Sequence, residues 1–214
     1  MPGPPDGTAQ WLELKDMAVP RGRSCNMTLT RISSPEYDVD LALAYATADN
    51  ITGKPIYRQA ACWLHGDATV ALVRAIELAR ELDLKFRIFD AYRPVEAQWQ
   101  LWNHNPDPDF LADPRRGSPH SRGVAIDLTL VRRSDGSALE MGTPFDDFSA
   151  HAYHNCAALA PEIRRNRYLL LGLMASAGWD HYLNEWWHYQ LYNPRTYPLL
   201  WDSAARTGMM ADRT

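Results

Sequence analysis

The chain has few cysteines, no long apolar run and no block of like charge. Its 3 cysteines, Cys25, Cys62 and Cys156, are odd in number and far apart, so neither a disulfide framework nor a cysteine metal site is predicted. No apolar run approaches the roughly 20 residues that a membrane-spanning helix needs. The formal net charge is −4, without a basic cluster, which argues against a nucleic-acid or membrane partner.

The first residues lack both the positive leader and the apolar core of a signal peptide. We therefore expect a cytoplasmic protein, in keeping with the scattered cysteines. Residues 1–20 carry Pro and Gly with little periodicity and are predicted to form an irregular arm. Residues 21–214 are the right length for one domain. No feature of the sequence predicts an oligomeric state.

The sequence predicts short strands and helices that follow one another in mixed order. Helical spacing of apolar residues and starting prolines predict three helices, over 67–82, 94–102 and 161–177. Asp67 is the predicted cap of the first helix. Short apolar runs predict three strands, over 86–89, 124–131 and 189–192. No strand–helix–strand rhythm repeats, so we predict an α+β fold with a mostly antiparallel sheet and helices packed on it.

Two histidines and one aspartate form a donor set suited to catalytic zinc. His120 follows Ser118-Pro119, Asp127 lies in an otherwise apolar strand, and His188 ends the run Glu-Trp-Trp-His. Two imidazole nitrogens and one carboxylate leave a fourth position for water on a tetrahedral ion. A lone histidine is more often a surface residue, but a strand aspartate is costly to bury unless paired or metal-bound. We predict one Zn²⁺ per chain at these residues.

Glu185 and Arg93 are the predicted catalytic side chains. Glu185 would share a helical face with His188 but would face away from it on a regular strand. Because the surrounding sequence indicates a strand, Glu185 must lie at a bend before it, where it can take a proton from water. Arg93 ends a buried strand and is either a fixed cation for an oxyanion or an ion-pair partner of Asp90 or a surface residue.

These motifs resemble those of the zinc D-alanyl-D-alanine dipeptidases, the VanX-type enzymes of vancomycin resistance. The resemblance runs from about residue 40 to 195 and is carried by five segments, 45–53, 90–94, 118–130, 142–146 and 185–188. The zinc pattern alone also fits the wider group of D,D-peptidase and Hedgehog-type folds. Its combination with Tyr-Arg-Pro and Ser-Arg-Gly is typical of the dipeptidases.

The resemblance implies an enzyme of Hedgehog/D,D-peptidase-like fold that hydrolyses the small dipeptide D-Ala-D-Ala. It implies that zinc is bound by three residues, His120, Asp127 and His188. It also implies that Glu185 transfers protons and that Arg93 stabilises the oxyanion. It further implies that Asp146 binds the free ammonium of the substrate and that Ser118 contacts the same end. A solvated loop aspartate is the simpler interpretation of Asp146. An ammonium anchor would restrict the enzyme to dipeptides.

Two other functions remain open at this point. A cell-wall D,D-carboxypeptidase or endopeptidase of the same fold would need export and an open cleft, which the missing leader and the ammonium anchor disfavour. A non-catalytic zinc module that binds a protein partner, as in Hedgehog-type domains, would not need Glu185 and Arg93.

Overall fold

Seven strands and four α-helices lie within residues 28–211, the part of the chain that this computed structural model describes. The strands are β1 Leu29–Ile32, β2 Asp40–Leu41, β3 Cys62–His65, β4 Leu84–Asp90, β5 Ala125–Arg132, β6 Trp179–His181 and β7 His188–Leu191. The helices are α1 Gly66–Glu81, α2 Val95–His104, α3 Pro161–Ser176 and α4 Asp202–Ala205. The predicted arm over residues 1–20 lies outside the described residues.

Five strands form the main sheet, in the order β2-β4-β5-β7-β6. β2 pairs with β4 in parallel, whereas the β4–β5, β5–β7 and β6–β7 pairs are antiparallel. β1 and β3 form a separate antiparallel pair. The predicted α+β class with a mostly antiparallel sheet is confirmed, and the parallel edge pair makes the main sheet mixed.

Helix α1 covers one face of the sheet with an apolar stripe, although Val73 and Leu82, which the helical spacing of the sequence predicts to share that stripe, are exposed. Leu72, Ala75 and Ala79 of α1 are buried, as are Phe86 and Ile88 of β4, and all five belong to one core cluster. Burying such side chains stabilises the fold by about 1.5–3 kcal/mol for each large one.

The cap of α1 differs from the prediction. His65 is the N-cap, and its Nδ1 accepts a hydrogen bond from the backbone N–H of Asp67 at 3.2 Å. The helix begins at Gly66, so Asp67 lies in its first turn. There the negative charge of Asp67 interacts favourably with the positive end of the helix dipole.

Strand β5 is central and has buried side chains on both faces. Every residue from Ala125 to Val131 is buried, because β4 and β7 flank the strand and other elements cover both sides. Asp127 and Thr129 lie on one face of the strand, and Ile126, Leu128 and Leu130 lie on the other. The polar face is therefore closed to bulk water as well as the apolar one.

The helices of the described chain include none with the length and apolar character needed to cross a membrane.

Candidate active site

Neighbouring strands place three polar residues in one row across the centre of the main sheet. Asp90 on β4 lies opposite Asp127 on β5, and Asp127 lies opposite His188 on β7. The register of β4 shifts between Ile88 and Asp90, a local irregularity of the kind often found next to functional sites. Backbone pairing therefore fixes the lateral positions of all three side chains.

His120 reaches this row from a 3-10 turn, His120–Arg122, that ends just before β5. The turn closes at Gly123, whose φ of 69° is left-handed. A Cβ at Gly123 would lie 2.6 Å from a side-chain carbon of Leu29 and 3.2 Å from the backbone nitrogen of His65. Glycine is therefore required both by the backbone angle and by the close packing, and the turn aims His120 at Asp127.

The ligand atoms of His120, Asp127 and His188 form a compact triangle. His120 Nε2 and His188 Nδ1 are 3.1 Å apart, His188 Nδ1 and Asp127 Oδ1 are 3.1 Å apart, and His120 Nε2 and Asp127 Oδ1 are 3.3 Å apart. Bonds of about 2.0–2.2 Å to a tetrahedral Zn²⁺ separate neighbouring ligand atoms by roughly 3.3–3.6 Å, slightly more than the distances here. The three residues thus fit a tetrahedral metal ion, and all three are buried.

The outer nitrogen of each histidine has an oxygen partner that fixes its tautomer. His120 Nδ1 lies 2.7 Å from the carbonyl oxygen of Ala91, so Nδ1 carries the hydrogen and Nε2 presents its lone pair to the triangle. His188 Nε2 lies 3.2 Å from Gln190 Oε1, which leaves Nδ1 for the triangle. Such outer partners orient metal-binding histidines and raise their basicity.

The charge of Asp127 is held in place by its neighbours. Burial raises the pKa of Asp127, but in the metal-free site the adjacent imidazoles of His120 and His188, when they are protonated, outweigh burial and hold the pKa well below its ordinary value. The carboxylate is therefore ionised over the whole physiological pH range, as a metal ligand must be.

Glu185 lies at the bend that its spacing from His188 requires. It follows β6 in a turn, where its N–H donates to the Tyr182 carbonyl at 3.2 Å, and β7 starts three residues later. Its Oε2 lies 3.8 Å from His188 Nδ1, beside the ligand triangle. Burial raises the pKa of Glu185 well above its ordinary value, and the carboxylates of Asp127 and Asp146 raise it further.

Arg93 forms the ion pair with Asp90 that was one of its predicted roles, and it also reaches the ligand triangle. Its Nε donates to Asp90 Oδ2 at 2.8 Å, and its Nη2 donates to Asp127 Oδ2 at 3.4 Å. The guanidinium also lies over the ring of Tyr45, 4.7 Å from the ring centre. Arg93 is buried, so the surface alternative is wrong.

Asp146 is not a solvated loop residue. It adopts a left-handed φ of 61°, its Oδ1 accepts a hydrogen bond from the Tyr45 hydroxyl at 3.0 Å, and its buried Oδ2 has no hydrogen-bond partner among the described residues. Burial raises its pKa to about 7, although the nearby Arg93 acts against this rise. A carboxylate oxygen desolvated in this way favours a cationic partner.

Ser118 has a local structural contact beside the cavity. Its buried hydroxyl oxygen accepts the backbone N–H of His120 at 3.2 Å, which stabilises the turn that carries this histidine. The same side chain lines the cavity in front of the metal triangle.

One cavity of about 330 Å³ brings all of these groups together. It is lined by every site residue that the sequence indicated, namely Arg93, Ser118, His120, Asp127, Asp146, Glu185 and His188. Aromatic side chains complete the wall, including Tyr45, Phe148, Tyr182 and Trp187.

Sequence reasoning did not identify Tyr45, Gln98 or Gln190 as parts of the site. Tyr45 lies in segment 45–53 of the family resemblance, and this was the only feature of the sequence that could have indicated a role for it in the site. Gln98 is an interior residue of α2 and Gln190 a strand residue, and neither position has a distinctive local pattern. The contact between Tyr45 and Asp146 spans 101 residues of sequence, a distance that no short motif encodes.

The fold and the site together define a class of protein. A buried set of two histidines and one aspartate, with an adjacent glutamate and a buried arginine lining one cavity, is typical of metal-dependent hydrolases.

Comparison with known proteins narrows this class. A family model described as D-ala-D-ala dipeptidase matches residues 29–200. The D-alanyl-D-alanine dipeptidase of Escherichia coli (strain K12) is 48% identical over 167 residues, which cover 77% of this chain and 85% of that protein. The D-alanyl-D-alanine dipeptidases of Enterococcus faecium and Streptomyces coelicolor are 34% and 33% identical and cover 69% and 72% of this chain and 83% and 87% of their own.

The chain therefore belongs to the D-alanyl-D-alanine dipeptidase family. It is an enzyme of the peptidase class, and the resemblance inferred from its motifs is confirmed, as is the Hedgehog/D,D-peptidase-like fold.

Proposed function

We propose that the protein is a zinc dipeptidase that hydrolyses D-Ala-D-Ala to two D-alanines. One observation carries the proposal: the ligand triangle, a buried carboxyl, a buried guanidinium and a desolvated aspartate all face a single cavity of about 330 Å³. A cavity of this size suits a small ligand, and the curated relatives carry the name of this activity.

His120, Asp127 and His188 would hold the zinc ion. A zinc ion bound there supplies a Lewis acid that polarises the scissile carbonyl and lowers the pKa of water to near 7. Thiolates take no part in this donor set, and nitrogen with carboxylate oxygen is a set that zinc accepts in catalytic sites. One ion per chain follows from the single cluster of this kind in residues 28–211.

Glu185 acts as general base and then as general acid. It takes a proton from the attacking water as the oxygen bonds to the scissile carbonyl carbon, and it donates that proton to the leaving nitrogen as the peptide bond breaks. Its position, 3.8 Å from His188 Nδ1, supports this role because a water at the open side of the triangle lies within its reach.

Arg93 stabilises the negative charge that develops on the carbonyl oxygen. Its Nη2 lies 3.4 Å from Asp127 Oδ2, so the guanidinium is fixed beside the ligand triangle before substrate arrives. Fixed donors of this kind cost no reorganisation at the moment of reaction.

Asp146 binds the substrate's free ammonium, with Ser118 lining the same cavity. The unpartnered, buried Oδ2 of Asp146 gains a partner when an ammonium enters, and a longer peptide has no ammonium at that position. The proposal therefore includes selectivity for dipeptides over cell-wall precursors with the same D-Ala-D-Ala end. We propose the cytoplasm as the location, since Cys62 and Cys156 are free thiols of the kind that reducing compartments maintain.

Hydrolysis of two substrates tests the proposal. Zinc-loaded protein is incubated with D-Ala-D-Ala and, separately, with a pentapeptide that ends in D-Ala-D-Ala, and released D-alanine is measured. We expect release from the dipeptide alone, and none from either substrate with the Glu185→Ala variant. Equal release from the pentapeptide would indicate a carboxypeptidase, and no release from either would indicate a non-catalytic module.

A further inference from the structure

The guanidinium of Arg93 is held by a further side chain at Nη1, a different nitrogen from the one that contacts the ligand triangle. Its Nη1 donates to Gln98 Oε1 at 3.0 Å. Gln98 lies on α2, is 1% exposed, and is reached from Arg93 across the first turn of that helix. Arg93 is therefore fixed at Nε by Asp90 and at Nη1 by Gln98.

Gln98 also contacts the cavity wall. Its Nε2 donates to the carbonyl oxygen of Ala112 at 2.8 Å, and Ala112 lines the cavity in the segment between α2 and His120. One buried amide thus joins the arginine to the loop that closes the cavity. A side chain with both an acceptor and a donor is needed, and the amide of glutamine supplies them without a charge.

We propose that Gln98 is a positioning residue for the reaction, which sets the direction of Arg93. This inference depends on the proposed role of Arg93. Each Nη atom carries two N–H groups, so both Nη1 and Nη2 retain an N–H beyond their contacts with Gln98 and Asp127. When Gln98 fixes Nη1, the whole planar guanidinium has one orientation. The N–H groups of Nη1 and Nη2 that are not bonded to Gln98 or Asp127 then point toward the developing oxyanion. Without Gln98, the guanidinium keeps only its contact with Asp90 at 2.8 Å and the longer contact with Asp127 at 3.4 Å, so its direction is less restricted.

Because the side chain of Gln98 is uncharged, it can orient Arg93 without neutralising the positive charge of the guanidinium. Arg93 already faces two carboxylates, Asp90 at 2.8 Å and Asp127 at 3.4 Å. A third carboxylate would compete with the oxyanion for the same cation, whereas an amide oxygen orients the cation and leaves its charge available. Gln98 does not itself touch the proposed reacting atoms, so it acts only through Arg93.

Three substitutions separate positioning from simple structural support. Gln98→Met removes both contacts at similar length. Gln98→Glu keeps an oxygen for Nη1 but removes the donor to Ala112. Gln100→Met is the matched control, an exposed glutamine on the same helix. Zinc-loaded proteins are compared by kcat, KM, zinc content and melting temperature.

We expect Gln98→Met to lower kcat on the order of 10- to 100-fold, the scale of a misplacement of about 1 Å, with a smaller change in KM. Gln98→Glu keeps a contact with Arg93 but adds a third carboxylate, so it should recover only part of kcat. Gln100→Met should match the unmutated enzyme. If Gln98 only supported the loop at Ala112, Gln98→Met would lower the melting temperature and zinc content together with kcat and raise KM to the same extent, and this result would overturn the proposal.

A double-mutant cycle with Arg93→Ala completes the test. If Gln98 acts through Arg93, adding Gln98→Met to Arg93→Ala should change kcat less than about twofold, because linked residues are non-additive. An equal fold-loss in both backgrounds would overturn the positioning role while leaving that of Arg93 intact. Normal kcat in Arg93→Ala alone would instead remove the proposed function of Arg93 and this inference with it.

Discussion

The hydroxyl of Tyr45 donates to Asp146 Oδ1 at 3.0 Å, across 101 residues of sequence. The ring of the same tyrosine lies against the guanidinium of Arg93. Tyr45 therefore links the proposed ammonium anchor to the proposed oxyanion cation and sets their separation. Because Asp146 Oδ1 is engaged in this way, its Oδ2 is the oxygen left for a ligand.

Removal of either histidine from the triangle should abolish tight zinc binding. We expect His120→Ala and His188→Ala to weaken zinc at least as much as loss of an outer-shell partner, roughly 10–100-fold, because two ligands cannot complete the site. Metal analysis after dialysis measures the effect, with unmutated protein at one zinc per chain as the reference. Full occupancy in both variants would contradict the ligand assignment.

Glu185→Ala should separate metal binding from turnover. The carboxylate acts on water and does not belong to the triangle, so zinc content should stay at one per chain while kcat falls about 10²–10⁴-fold. Glu162→Ala, at an exposed position on α3, is the control for loss of a glutamate. A kcat near that of the unmutated enzyme would exclude a proton-transfer role.

Arg93→Ala should depress kcat more than it raises KM. A donor that contacts mainly the developing oxyanion lowers the barrier by roughly 3–4 kcal/mol, and its loss leaves ground-state binding less affected. Melting temperature must be followed in parallel, because Asp90 then loses its buried partner. A change confined to KM would identify Arg93 as a substrate-binding cation instead.

Blocking the amino group of the substrate should weaken binding through Asp146. A buried charge pair left half-made costs about 2–5 kcal/mol, so N-acetyl-D-Ala-D-Ala should be a poor substrate for the unmutated enzyme. In Asp146→Ala the ratio of kcat/KM between free and blocked dipeptides should shrink. Equal rates on the two substrates in the unmutated enzyme would refute the anchor and favour a carboxypeptidase.

Dipeptide affinity should depend on pH through Asp146. Burial raises its pKa to about 7, with Asp127 and Asp90 adding to the rise and Arg93 and the Tyr45 hydroxyl opposing it. The carboxyl is therefore neutral below its pKa and anionic above it, so affinity should fall as pH falls. A metal cation nearby lowers this value, which puts the midpoint at or below about 7.

Calorimetry on the Glu185→Ala protein measures this pH dependence without turnover and without titration of Glu185. Above about pH 8 the substrate ammonium itself loses its proton, so affinity should fall again on that side. When Asp146→Asn is added to this variant, the fall in dipeptide affinity at low pH should disappear, and the fall above about pH 8 should remain. An acidic limb that persists in this variant would assign the titration to another group.

Much of the candidate site was predictable because its chemistry depends on residue types at short spacing. A strand aspartate near His120 in a glycine-containing turn suggested a metal site, and the motif from Ser118 to Leu130 carried the family resemblance. The α+β class followed from strand and helix periodicity, which is encoded locally. The cap of α1 was assigned wrongly, because the competition between His65 and Asp67 depends on where the preceding strand ends.

The sequence by itself determined the family and indicated the donor set and the neighbouring glutamate, because the two motifs that carry them are each written in residues close together, His120 with Asp127 and Glu185 with His188. Only the tertiary structure decided that Arg93 pairs with Asp90 and Asp127 together, that Tyr45 links it to Asp146, and that the sheet has one parallel pair. The physical reason is that these features arise from packing between segments that are far apart in sequence. The contacts between those segments contribute to the free energy of folding only once the chain has brought the segments together.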